Sequence, residues 1–216
     1  MPLHECDGHS HDDENEDSAG LSLRQYIDFS RVTCLNEDSQ DSGRAILKPH
    51  ENRLSNTPYL QSSEGDPELL LYVPFTEAVT IQSMSIRCSN ESIESVPPKN
   101  VKVFVDRDDL DFETARELPP QLEVELLPMY HFPEGTIDYP LRPAGRFQNI
   151  NSITIFFVDN YDESGESSTG ITYVGFKGKG SKMRQGVVAA VYETQGMPKD
   201  HKVHDRFGMS SFVQGL

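Results

Sequence analysis

Apolar and polar residues alternate along several stretches of the chain, the period-two signature of half-buried β-strands. Val101, Val103 and Val105 alternate with Lys102 and Phe104. In Leu122-Glu123-Val124-Glu125-Leu126 the glutamates fall on one face and the aliphatics on the other. Ile137, Tyr139 and Leu141 keep the same period. Residues 152–158 are β-branched and aromatic and become apolar on both faces, which predicts a central strand. Residues 171–177 and 187–192 complete the series. Residues 69–75 open it, and Pro74, which has no N–H for a ladder, predicts a place toward a sheet edge. In residues 79–87 the apolar set starts at Val79 and Ile81 and then shifts phase to Met84 and Ile86. A slip of one residue turns every following side chain to the other face. It therefore predicts a β-bulge near Gln82 and Ser83, or a strand that changes partner sheet there.

These runs recur about every 12 to 20 residues, with Pro, Gly, Asn and Asp clusters between them, a spacing that suits an antiparallel sandwich of the jelly-roll kind. The fold class expected is all-β with little helix. Helical periodicity is weak, and its best candidate is one short helix or turn over residues 21–29, where Leu23 and Ile27 are four apart. Residues 1–20 carry seven acids, no Lys or Arg and little apolar surface, so they cannot offset their own ordering entropy. The expected organisation is a disordered acidic arm over 1–20, a β-sandwich domain over 21–194 and a polar C-terminal tail over 195–216.

Charge narrows the partners. The 216 residues carry a formal net charge of −16. Nucleic acid is not expected, because phosphate contacts need clustered Lys and Arg; an acidic surface favours basic patches on proteins. No apolar run reaches the length of a membrane helix, and the N-terminus has neither the basic nor the hydrophobic part of a secretory signal. Three widely spaced cysteines, Cys6, Cys34 and Cys88, suggest reduced thiols and a cytosolic or nuclear setting. Asn90-Glu91-Ser92 fits the glycosylation pattern and is read as chance without a signal.

Candidate chemistry is sparse. In Thr169-Gly170-Ile171-Thr172-Tyr173-Val174-Gly175-Phe176-Lys177-Gly178-Lys179-Gly180 the first and second glycines have the separation of a P-loop, but Phe176 stands where that loop needs lysine. No helix follows to hold a phosphate. Gly175 is instead expected to let two backbones approach, and Gly178 and Gly180 to form a loop with positive φ. His9 and His11, with His4 and Cys6 upstream, match no closed zinc site. His201 and His204, flanked by Asp200 and Asp205, suit either a metal on a loop or a capped turn, and the turn is preferred. Cys34, between apolar neighbours, reads as a small hydrophobe. No serine sits in a nucleophile elbow and no C-x-x-C is present. No catalytic residue, metal or cofactor is expected.

Several segments taken in order carry a resemblance: Cys34-Leu35-Asn36-Glu37; Leu69-Leu70-Leu71-Tyr72-Val73-Pro74-Phe75 after Ser63-Glu64-Gly65-Asp66; Phe147-Gln148-Asn149-Ile150; Phe156-Phe157-Val158-Asp159-Asn160; the glycine-containing stretch above; Val191-Tyr192-Glu193; and Met197-Pro198-Lys199-Asp200-His201. Together, over roughly residues 20–202, they resemble the PITH-domain family, the proteasome-interacting module found at the C-terminus of a thioredoxin-like protein. The resemblance implies a galactose-binding-like β-sandwich, association with the 26S proteasome, and a cytosolic and nuclear location. The His-containing start looks like that of stand-alone members without the thioredoxin domain. The family offers no catalytic residues to carry over.

The expected function is therefore that of a non-catalytic, monomeric protein-interaction module working through loops at one end of the sandwich. The loops expected to meet the partner are 36–43, 159–169 and 200–205, with Asn36, Glu37, Asp159, Asn160, Asp200 and His201 as contact residues. The alternative for each loop is a solvated acidic surface. The alternative function is a small-ligand, carbohydrate-like binding jelly roll or an uncharacterised enzyme, for which Tyr130, His131 and Phe132 could form the platform that a chain without Trp otherwise lacks.

Overall fold

The computed structural model describes residues 21–88, 95–128 and 135–180. The arm over 1–20, the predicted strand 187–192, the tail with Asp200, His201 and His204, and the Tyr130–His131–Phe132 platform all lie outside the described residues.

The described residues form nine strands: β1 (Thr33–Leu35), β2 (Leu60–Gln61), β3 (Leu69–Arg87), β4 (Asn100–Val105), β5 (Leu122–Glu125), β6 (Ile137–Pro140), β7 (Ile150–Phe157), β8 (Gly170–Ile171) and β9 (Tyr173–Gly180). Two short helices, α1 (Ser42–Ala45) and α2 (Phe112–Glu117), and a few 3-10 turns join them. One of those turns, Arg24–Tyr26, occupies the predicted 21–29 segment and buries Leu23 and Ile27.

β3 organises the rest. The predicted strands 69–75 and 79–87 are one strand of 19 residues. Its first half pairs with β1 on one side and with β7 on the other. Its second half pairs with β9 and β6. The sheet β1–β3–β7–β4–β5 thus continues, through β3, into a second layer β9–β3–β6. The change of partner falls where the β7 register breaks between Pro74 and Val79. Pro74 is buried opposite Ser152 in the middle of the assembly, not at an edge. The break in the ladder beside it tolerates the missing N–H, which is the local condition a proline needs inside a sheet.

The predicted bulge is also present. Ile81 pairs with Gly178 and Ser83 with Lys177, so Gln82 is the additional residue. Its carbonyl accepts from the Leu141 amide at 2.9 Å, and Val79, Ile81, Met84 and Ile86 all turn inward as a result. Both readings of the phase shift hold, at neighbouring places. Gly178 and Gly180 are strand residues without positive φ, contrary to the expected loop. Gly178 lies where the bulged strand presses closest. A Cβ there would sit well inside contact distance of the Thr80 carbonyl oxygen, and one at Gly180 would meet the Tyr26 ring. Gly175 approaches a side chain, the Tyr173 phenol, rather than another backbone.

The main core fills the space between the layers. Leu69, Leu71 and Val73 of β3, Val101 and Val103 of β4, and Ile153, Ile155 and Phe157 of β7 all join it. β7 lies between β3 and β4, as its two-sided apolar pattern predicts. Its outer face supplies Phe156 to a second cluster with Leu70, Phe104 and Ala115, roofed by α2. That helix is N-capped by Asp111, which accepts from the Thr114 amide at 2.7 Å.

The bulge contact gives a direct test. Gly178→Ala is expected to lower the unfolding free energy by about 2–3 kcal/mol, because its Cβ meets backbone rather than a movable side chain. Gly145→Ala, with nothing within 4 Å of the added carbon, should change it by less than about 0.5 kcal/mol. Urea unfolding followed by circular dichroism compares the two.

Candidate functional site

Both ends of β3 reach one rim of the sandwich. The Thr169 hydroxyl donates to the Pro67 carbonyl at 2.7 Å, and the Thr172 amide to the Arg87 carbonyl at 2.8 Å. The segment 60–68 runs along this rim and collects the loops around it. Leu60 and Gln61 pair with Ile171 and Gly170. The Asp38 amide donates to the Gln61 carbonyl, the Ser63 amide to the Asn36 carbonyl and the Ser62 amide to the Thr169 carbonyl. The predicted contact loops 36–43 and 159–169 are therefore brought together, on either side of 60–68.

The four predicted contact residues among the described residues serve as clamps. Asn36 holds a left-handed backbone, φ 67°, and its Nδ2 donates to the Glu68 carbonyl at 2.7 Å. The Glu37 carboxylate accepts from the amides of Asp41 and Gly43, both at 2.7 Å, and from the Ser42 hydroxyl. Asp159 accepts from the Asn100 amide and its Nδ2, both at 2.8 Å. Asn160 is buried; its Nδ2 donates to the Ser167 carbonyl, and its Oδ1 accepts from the Asp162 amide. These bonds satisfy backbone groups that irregular chain would otherwise leave unpaired, so the loops are held in shape before any partner arrives.

The residues facing outward are others, chiefly Asp38, Asp41, Glu64, Glu163 and Glu166. Between the 38–45 and 57–61 segments lies a cleft of about 470 Å³, with Asp38, Asp41 and Ala45 on one wall and Pro58 and Tyr59 on the other. Tyr59 is 41% exposed. Sequence reasoning missed Asp38 and Tyr59 as a pair, because their proximity is tertiary. The only local sign is an aromatic following a proline inside a polar stretch, Asn56-Thr57-Pro58-Tyr59. A second concavity of about 240 Å³ lies on the outer face of the first sheet, floored by Leu70, Tyr72 and Thr154 with Arg31 and Asp108 beside them.

Among the described residues, Cys34, Cys88 and Lys48 are each held apart by burial or local bonds. Burial and the neighbouring Glu37 push the Cys34 thiol well above its ordinary value, and burial pushes Cys88 up to about 12. Both stay protonated, and so weakly nucleophilic, at neutral pH. Lys48 is buried and donates to the Ser55 carbonyl at 2.9 Å; burial first, then nearby Arg87, lowers its ammonium to about 8. Among the described residues no three His, Cys, Asp or Glu side chains gather as metal ligands.

The comparisons fit this architecture. Residues 13–196 match the PITH domain family model. A PITH domain-containing protein of Caenorhabditis elegans is 32% identical over 204 residues, covering 90% of this chain and 92% of its own length. PITH domain-containing protein 1 of Homo sapiens is 27% identical, covering 95% of this chain and 98% of itself. The chain belongs to the PITH domain family. Solved structures similar in fold are carbohydrate-binding modules of family 32 from Clostridium perfringens. The CBM32-1 and CBM32-2 domains of ZmpB superpose with TM-score 0.55 at 10% identity, covering 82% of this chain and 41% of theirs. CBM32-3 of a family 31 glycoside hydrolase gives 0.52 at 9%, covering 76% and 98%. The fold is thus an antiparallel jelly-roll β-sandwich of the galactose-binding-like type.

Two outcomes check the clamps. Glu37→Ala removes the acceptor for two amides and is expected to cost about 1–3 kcal/mol of stability in chemical denaturation, whereas Asp38→Asn on the exposed wall should change it by less than about 0.5 kcal/mol. Asp162, held by the hydroxyl of Ser164 and by Ser167, has its carboxyl lowered from 3.8 to about 2. Its contribution to stability is present above 3.8 and is lost as pH falls through about 2. A carboxyl-carbon NMR titration should give a midpoint near 2, and Ser164→Ala should move it upward.

Proposed function

We propose that this PITH domain is a non-catalytic protein-interaction module that docks as a single copy through its acidic loop rim, and that its partner is the 26S proteasome or a related complex of the cytosol and nucleus. The observation that carries this reading is the division of labour at the rim. Asn36, Glu37, Asp159 and Asn160 are spent on backbone amides and carbonyls, while Asp38, Asp41, Glu64, Glu163 and Glu166 face solvent on the loops so fixed. A rigid carboxylate-bearing edge suits a basic patch on another protein, with charge steering the encounter. The resemblance to the proteasome-interacting module supplies the candidate partner.

A second reading, a carbohydrate-like ligand in the 470 Å³ cleft, draws on the exposed Tyr59 ring beside polar side chains. Thermal-shift measurements across a panel of neutral sugars should give no stabilisation if the docking reading is right, and a clear shift for one sugar would replace it.

Affinity purification from cell extract, with the full chain and with a version lacking residues 1–20, tests the docking reading. Proteasome lid and base subunits should be enriched with both and lost several-fold on raising salt from about 0.1 to about 0.5 M. Retention that is indifferent to salt contradicts the electrostatic part, and absence of these subunits contradicts the choice of partner.

A further inference from the structure

We infer that the cleft between the 38–45 and 57–61 segments receives an arginine or lysine side chain of the docking partner, with Asp38 as its counter-charge and the Tyr59 ring as its flat apolar wall. The inference rests on the docking function proposed above and names the chemistry of the group that enters the rim.

Charge is the first ground. The residues lining the cleft include the carboxylates of Asp38 and Asp41 and no Lys, Arg or His. Asp41 pairs with Arg44 at 3.0 Å outside that lining. Asp38 makes no ion pair among the described residues, and its carboxylate's contact is a long one, 3.5 Å, from the Ser39 hydroxyl. The Asp38 backbone is fixed by the hydrogen bond its amide donates to the Gln61 carbonyl and by the Glu37 clamp beside it. The backbone that carries the carboxylate is therefore already placed, and on binding only the side chain remains to be ordered.

The opposite wall is the second ground. Tyr59 is one of four large apolar side chains exposed among the described residues, with Leu35, Leu54 and Leu127, and of these it alone lines this cleft. A cation over a tyrosine face is attracted by the ring quadrupole, and a guanidinium can stack there while its fork meets a carboxylate edge. A neutral sugar offers Asp38 hydroxyl donors but no counter-charge, whereas a guanidinium offers both in one group. The cleft, about 470 Å³, has room for one long basic side chain. The trough on the sheet face is smaller and is lined by Arg31 and Arg107 against the single carboxylate of Asp108, so it offers no excess of negative charge to a basic group.

The test uses the full chain and three blocked tripeptides, Gly-Arg-Gly, Gly-Lys-Gly and Gly-Glu-Gly, followed by amide NMR, with galactose as a further probe. The arginine peptide should bind weakly but saturably, with shifts concentrated at 38–41 and 57–61, the lysine peptide less tightly, and the glutamate peptide and galactose not at all. Asp38→Asn and Tyr59→Ala should each weaken the arginine peptide about five-fold, while Glu123→Gln, an exposed charge on β5, should leave it unchanged. Shifts scattered evenly over the acidic surface, equal affinity in all variants, or a response to galactose alone would overturn the inference. Co-purification separates it from the broader reading. If the Asp38→Asn/Tyr59→Ala double variant retains the wild-type level of proteasome subunits, the cleft assignment fails and docking stands. If the wild-type chain retains none while the peptide result holds, the proposed partner fails and the cleft assignment stands.

Discussion

The constraint on which the structure depends is that one strand serves two layers. β3 pairs with β1 and β7 over its first half and with β9 and β6 over its second. Every larger strand except β4 and β5 hydrogen-bonds to it, and those two attach through β7. A strand that must bend between layers cannot keep a perfect ladder, and the irregularities fall where the bend demands them: the β7 register breaks beside Pro74, and Gln82 is inserted opposite the Gly178 backbone. Apolar residues are turned inward on both sides of each irregularity. The register is thereby fixed by burial, since a slip of one residue would expose the whole set.

The rim follows from the same geometry. Because the two ends of β3 lie near each other, the segment 60–68 that enters the strand, residues 95–99 beyond it, and the loops after β1 and β7 meet at one end of the sandwich. Crowded irregular backbone needs hydrogen-bond partners. Short polar side chains supply them, which is why Asn36, Glu37, Asp159 and Asn160 sit at the strand ends. What these bonds leave facing outward is mostly carboxylate, from Asp38, Asp41, Glu64, Glu163 and Glu166, together with the Tyr59 cleft.

Much of the fold was legible in the sequence because period-two patterning is a local signal. β4, β5, β6 and β7 fall where alternation places them, and the phase shift at Gln82 locates the bulge. β1, β2 and β8, two or three residues each, are too short to show a period. Pro74 misled because its edge reading assumes an unbroken ladder; the break beside it is a property of the partner strand. Closely spaced glycines suggest a loop with positive φ at Gly178, whereas its role is set by the bulge opposite. At the rim, the fold brings two of the loops named from the sequence, 36–43 and 159–169, to either side of 60–68, and there Asn36, Glu37, Asp159 and Asn160 bond to neighbouring backbone. Asn36 and Glu68 are 32 residues apart and Asn100 and Asp159 are 59 apart, and no local pattern announces bonds across such distances.

The rim loops are locked by their own side chains before any partner binds. Amide hydrogen exchange of the free chain, resolved by NMR, measures this directly. The amides of Asp41, Gly43 and Asn100, donated to the Glu37 and Asp159 carboxylates, and that of Thr169, donated to the Ser62 hydroxyl, are expected to exchange at least about a hundred-fold more slowly than unstructured chain. Exchange of these four at the rate of open loops, with β3 and β7 still protected, would contradict it.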